Sequence, residues 1–320
     1  MQPRFMRRAL ALAAGAALLG PAATARAEQI LHHVHGLAFT PDGAALVVPA
    51  HTGLAVYRDG RWTRSPMPAH DLMGFSTADR AIYSSGHPAP NTPLANPLGL
   101  VKSTDGGKTW QRLGLGGEAD FHEIAAGHRS GAVYVVNAAP NSRMPRPGIY
   151  FTTDDGQAWK RSEAAGLAAQ VIGIAAHPTE ARTVAVGTLG GLYLSRDFGA
   201  RFERIGEASP ATAVLFDLDG KHLYFSGAAG SKLSRIALDG HSNTTLGLPD
   251  IGSDLLMYIA QNPARPAEYA IATRGRLCGP AAKSVRQADG GSRRRHRLSR
   301  YRLSRMQQGS RAADRQRSAA

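Results

Sequence analysis

One octet of the form Ser/Thr-x-Asp-x-Gly-x-x-aromatic is written three times in the middle of this chain: STDGGKTW (103–110), TTDDGQAW (152–159) and SRDFGARF (195–202). Its aspartates, Asp105, Asp154 and Asp197, stand 49 and 43 residues apart. Each copy follows a β-rich run (LGLVKS, GIYFTT, GLYLS) and precedes a short polar strand, so it reads as a hairpin turn. In such a turn, opened by Ser103, Thr152 or Ser195, the carboxylate can accept backbone N–H bonds. Gly107, Gly156 and Gly199 can take positive φ, and Trp110, Trp159 and Phe202 can close over the neighbouring blade. YRDGRW (57–62) and ALDGHS (237–242) look like worn copies. A period in the forties with short β segments predicts an all-β propeller of four-stranded blades. Laid over the chain, the grid starts new blades near His70, Asp120, Val171, Ala211 and Asp254, which makes six blades, with seven as the alternative. The strand pattern stops at Thr273, so the last blade is expected to be incomplete.

The formal charge of +14 suggests a polyanion binder until it is located. The first 27 residues carry +4 and residues 274–320 carry +12, which leaves −2 for residues 28–273. A nucleic-acid binder needs its Lys and Arg on the folded surface, so this distribution argues against nucleic acid as a partner. The lone cysteine, Cys278, rules out an intramolecular disulfide. Arg4, Arg7 and Arg8 precede an apolar run at 9–19, then Gly20-Pro21 and Ala25-Arg26-Ala27, the pattern of a secretory signal cleaved after Ala27. The run is too short to span a bilayer. The expectation is a secreted or periplasmic monomer, with twin-arginine export as the alternative route. The chain thus divides into a signal at 1–27, a propeller at 28–273 and an Arg-rich stretch at 274–320. That last stretch reads as a shifted reading frame, a disordered tail or a basic arm.

The octets resemble the Asp boxes, or BNR repeats, of sialidase-like and sortilin-like propellers and of photosystem II stability factor-like proteins. The longer run HVHGLAF (33–39), HDLMGF (70–75), SSGHPAP (84–90), NPLGLVKSTDGGKTW (96–110) and NSRMP (141–145) resembles a group of secreted bacterial Asp-box propellers often labelled glycosylhydrolase. The resemblance covers roughly residues 30–273 and implies the propeller fold; Asp boxes occur in enzymes and non-enzymes alike. Sialidases carry an Arg-Ile-Pro type motif early in the propeller. Here no arginine lies between Arg26 and Arg58, a departure from that pattern.

Propeller strands alternate in direction, so the octets mark one rim and the chemistry-bearing residues gather on the other. There the grid places His35, His51, His70, Asp71, His87, Asp120, His122 and Glu123, beside two long loops at 85–97 and 137–148. Three readings of this cluster stay open. The groups cap strand ends; or the imidazoles of His35, His51, His70, His87 and His122 hold copper or zinc, with a carboxylate as a further ligand; or Asp71, Asp120 or Glu123 supply an acid and base pair for glycoside hydrolysis. Asn141 and Arg143, in the second loop, are candidates for an anionic ligand group, so a glycan or protein ligand is the expected partner. His128, His177, His222 and His241 fall on the opposite rim in ordinary turn contexts.

Overall fold

The computed structural model describes residues 34–207, 209–227, 232–239, 242–248, 254–273 and 277–278. The expected export signal at 1–27, His33, His241 and residues 274–320 apart from 277–278 lie outside the described residues. The first blade is β1 (Ala38–Phe39), β2 (Leu46–Ala50), β3 (Gly53–Arg58) and β4 (Arg61–Arg64); the second is β5 (Asp71–Thr77), β6 (Ile82–His87), β7 (Leu100–Ser103) and β8 (Gln111–Gly114). The third comprises β9 (Ile124–Ala126), β10 (Val133–Asn137), β11 (Gly148–Thr152) and β12 (Lys160–Arg161); the fourth β13 (Val171–Ala176), β14 (Val184–Thr188), β15 (Gly191–Ser195) and β16 (Glu203–Ile205). The fifth is β17 (Val214–Phe216), β18 (His222–Ser226), β19 (Lys232–Ala237) and β20 (Asn243–Gly247). A three-stranded sheet follows: β21 (Leu256–Gln261), β22 (Tyr269–Thr273) and β23 (Leu277–Cys278).

Neighbouring strands in every sheet are antiparallel and consecutive in the chain, which is the meander of a propeller blade. Pairing runs past Thr273, where the apolar pattern stops: Ile271 and Ala272 pair with Cys278 and Leu277. A two-residue strand held by backbone bonds leaves too short a pattern to read from sequence. The first strand of each sheet lines one central channel of about 260 Å³, to which the sheets contribute Phe39, Ser76, Ile124, Ile174, Val214 and Tyr258 in turn.

The second strands of the first, third and fourth blades, LVVPA, VYVVN and VAVGT, are near-continuous apolar runs because both of their faces are covered. Alternation sends Val133 and Val135 of β10 against Tyr83 and Leu100 of the second blade, while Tyr134 packs on Val184 and Val186 of the fourth. The fourth blade meets the fifth through Ala185 and Leu223, and the fifth meets the three-stranded sheet through Tyr224 and Ile271. That sheet returns Ala260 and Ala272 to Leu46 and Val48 of the first blade. At the same junction the buried Asn262 donates from Nδ2 to the Gly43 carbonyl at 3.0 Å, and Arg265 Nη2 reaches the same oxygen at 3.2 Å.

The three octets share one hydrogen-bond pattern. Ser103, Thr152 and Ser195 each donate a hydroxyl to the aspartate two residues on, at 2.6–2.8 Å, and accept the N–H of Gly107, Gly156 or Gly199 at 2.9 Å. The same carboxylates accept N–H bonds from Thr109, Ala158 and Arg201. Burial opposes ionisation of Asp105, but the bonds from Thr109, Ser103 and Lys108 outweigh it and bring the carboxyl down to about 2. Trp110 packs beside Leu54 of the first blade, Trp159 beside Tyr83 and Leu100 of the second, and Phe202 beside Tyr134 and Phe151 of the third. Each octet therefore fastens its blade to the preceding one.

Candidate functional site

The cluster is assembled by close approaches between the first three blades. His35 enters β1 with its N–H on the Pro49 carbonyl, and His51 follows the last residue of β2. A Cβ on Gly53, at φ +98°, would stand 3.1 Å from the Ala69 Cα, so this glycine admits the lead-in to Asp71 beside His51. Asp71 opens β5 and pairs directly with His87, the last residue of β6 rather than part of the loop beyond it. The segment 120–123 is pinned through Phe121. Its N–H donates to the fully buried Ser85 hydroxyl at 2.9 Å, its carbonyl accepts from Gly74 N–H at 2.9 Å, and its ring is buried. Asp120, His122 and Glu123 are thereby fixed against the second blade.

Two sets of side chains result. In the first, the Nε2 atoms of His35 and His51 stand 3.3 Å apart with their rings edge to face. His51 Nδ1 meets Asp71 Oδ2 at 2.6 Å, and Asp71 Oδ1 lies 3.9 Å from His35 Nε2. These three residues present ligand atoms all within 4.8 Å of one another. In the second set, His122 Nε2 and His87 Nε2 approach the same oxygen, Asp120 Oδ2, at 2.9 and 3.3 Å, while His87 Nδ1 is held by Asn96 Oδ1 at 2.7 Å. In both sets the other carboxylate oxygen, Asp71 Oδ1 and Asp120 Oδ1, is buried without a hydrogen-bond partner.

Electrostatics link the sets. Burial opposes ionisation of Asp120, yet the His122 hydrogen bond and the fields of His122, His87 and His35 outweigh it and hold the carboxyl below its ordinary value. Asp120's hydrogen bond raises His122, and the charges of Glu123 and Asp71 add to this. Burial raises the Glu123 carboxyl, which also faces Tyr258 of the last sheet across the channel mouth.

Three sequence candidates lie apart from both sets. His70 is buried; its Nδ1 accepts the Ala89 N–H at 2.9 Å and so ties down the loop after β6, and burial lowers its pKa. Asn141 Oδ1 caps the N–H groups of Arg143 and Met144 within its own loop. Arg143 Nη1 donates to the Gly156 carbonyl of the third blade's octet at 2.6 Å. On the other rim, His177 donates to the Gly220 carbonyl and caps Thr179 and Glu180, and burial lowers His128. Asp217, Asp219 and His222 also cluster, but the Arg235 guanidinium sits among them, 2.8 Å from His222 Nδ1. Asn96 and Tyr258 are additions that sequence reasoning missed. Asn96 had a signal, its place in the loop that follows His87; Tyr258 had none, since only ring geometry brings the last sheet to the third blade.

No protein-family model and no curated protein matches the chain. Among solved structures it is similar to the GH74 enzyme of Niastella koreensis, with a TM-score of 0.55 and 14% identity over 75% of this chain and 40% of that one. It is equally similar to a structural genomics protein of unknown function from Bacteroides thetaiotaomicron, with a TM-score of 0.55 and 14% identity over 77% and 68% of the two chains. A chain of a nidogen/laminin complex follows at a TM-score of 0.50 and 15% identity over 68% and 80%. This chain thus spans well under half the length of the GH74 enzyme. Among the described residues no helix is long and apolar enough to cross a membrane. At these identities the likeness is one of fold, and the fold is the β-propeller.

Proposed function

We propose that this chain is an exported, six-bladed Asp-box propeller that works as a binding module, with a transition-metal site on the rim opposite its octets. In this reading the three-stranded sheet is the sixth blade. The observation that carries the metal is the 3.3 Å separation of His35 Nε2 and His51 Nε2. Two imidazoles on one tetrahedral ion, at metal–nitrogen distances of about 2.0–2.1 Å, stand about 3.3–3.4 Å apart. The His51 Nδ1 contact to Asp71 Oδ2 supports it further, because a carboxylate on one ring nitrogen orients the other toward a metal. Imidazole donors with a carboxylate suit zinc or copper. Equilibrium dialysis of chelator-stripped protein against Zn²⁺ or Cu²⁺ tests the reading: retained ion that is lost in His35→Ala and His51→Ala is expected, and no retained ion sinks it.

A second reading, glycoside hydrolysis, draws on the opposite shifts of two neighbouring carboxyls, Glu123 raised and Asp120 lowered, the division of roles an acid and base pair needs. Turnover of aryl glycosides that disappears in Glu123→Gln while metal binding persists would favour it. Inactivity across such a panel retires it.

A further inference from the structure

We infer that the central channel is a seat for a small organic cation, a primary ammonium on a slender aliphatic stem, with the ammonium at Glu123 in the channel mouth and the stem inside. The seat is separate from the His35, His51 and Asp71 set and needs no ion there. The channel volume of about 260 Å³ lies just below the roughly 300–1,000 Å³ of sites for drug-sized ligands, so the occupant is small. Among the described residues that line it there is no Lys or Arg, and Glu123 is the one acid. Much of the wall is apolar: Ile172, Ile174, Val214 and Met257 are only half-buried and flank the channel. At the octet end the lining is Pro41, Pro178 and Pro263, and the Gln261 amide there is engaged by Asp217, the Pro266 carbonyl and Tyr269. A narrow apolar body is matched along the channel, and a counter-charge is offered only at Glu123.

The surroundings of Glu123 favour an ammonium over a neutral or anionic head. Its carboxyl receives a hydrogen bond from its own backbone N–H and none from another side chain among the described residues, and burial raises its pKa. Asp120 adds a second negative charge nearby. His122, the imidazole beside it, is already committed to Asp120 Oδ2 at 2.9 Å. An ammonium brings three donors and the opposite charge to a carboxylate short of both. The charge of Glu123 also acts on Tyr258, whose ring lines the same channel, and an aromatic wall beside a carboxylate suits a cation. The mouth opens to solvent past His122, whose side chain is 55% exposed, so a ligand can enter head last. The other cluster of carboxylates, around His222, has its cation already in Arg235.

The test is calorimetric titration of the full, chelator-stripped chain with n-hexylammonium, n-butylammonium, hexanoate and hexanol. One hexylammonium per chain is expected, with affinity falling about fourfold for each methylene removed. Hexanoate and hexanol should bind at least tenfold more weakly. Glu123→Gln should lose at least tenfold in hexylammonium affinity and Glu123→Asp should keep most of it, both with circular dichroism unchanged, while His51→Ala binds as the parent does. Hexanol or hexanoate binding as tightly as hexylammonium overturns the inference in the parent alone, without recourse to any variant. A folded Glu123→Gln that binds unchanged overturns it too, as does the absence of saturable binding across the series. None of these results bears on ion retention in the dialysis above, so this inference and the metal reading fail separately.

Discussion

Gly86 shows how much of the site depends on one missing side chain. It lies at φ +136°, and a Cβ there would stand 2.0 Å from the Asp71 carbonyl and 2.9 Å from the Met73 nitrogen, backbone atoms that cannot turn aside. Gly86→Ala must push β5 away from β6 at the pair that carries Asp71 and His87. A loss of about 2–4 kcal/mol is expected from strain and overpacking, together with loss of metal binding. Urea unfolding and dialysis check the two effects; native stability and full binding in the variant would show that the close approach is not needed. Asp120 gives a prediction in pH. Its folded pKa lies below the ordinary 3.8, so its contribution is present above that value and lost as pH falls through the folded one. His122 lies above the ordinary 6.5, so its contribution is complete below 6.5 and lost as pH rises through the folded value. Asp120→Asn should therefore widen its deficit in melting temperature most between pH 3.8 and 6.5, and a pH-independent deficit would deny the ion pair.

At the scale of the element, the octet is a self-capped turn that also reaches across to its neighbour. Between the first two blades the reach is steric, because a Cβ on Gly107, at φ +88°, would lie 2.5 Å from Leu54 Cδ2. Between the second and third it is polar: Tyr83 Oη and Lys102 Nζ donate to Asp155 at 2.6 and 2.7 Å. Asp105→Ala removes the acceptor for Ser103, Lys108 and Thr109. Discounted for its exposure, the loss should be about 1 kcal/mol, or roughly 2–4 °C in melting temperature. Because the Asp105 carboxyl is lowered to about 2, the gap between parent and variant should hold at neutral pH and close as pH falls from 3.8 toward 2. Thermal melts across that range check it, and a gap that survives at pH 2 contradicts the carboxylate's role. The octet was legible because the chemistry of its turn is local: the bonds among the Ser/Thr hydroxyl, the aspartate and the turn N–H groups all lie within eight residues.

For the whole molecule, the junction between the last sheet and the first decides whether the ring is one cooperative unit. Asn262 is fully buried, donating to Gly43 O and Glu268 and accepting from Ala264 and Arg265. Asn262→Ala strands the Ala264 N–H and leaves the Gly43 carbonyl to Arg265 alone, with an expected cost of about 1–3 kcal/mol. Calorimetry should show a lower melting temperature with one transition; a second, earlier transition confined to the last sheet would mean that the ring does not unfold as a unit. The order of the blades, the strand starts near Val171 and Ala211, and the gathering of His35, His51, Asp71, His87, Asp120 and His122 on one rim all follow from the sequence itself, because strand alternation and a period in the forties set the direction of every strand end. What only the tertiary structure decided is which of those groups touch. His70 turned inward to hold a loop, and Arg143 and Asn141 closed on their own backbone, because a buried polar atom bonds whatever partner lies nearest in space. The two sets of imidazoles around Asp71 and Asp120, and Tyr258 across from Glu123, arise where the first, second, third and last sheets meet, at distances set by glycines and by Phe121 rather than by any spacing along the chain.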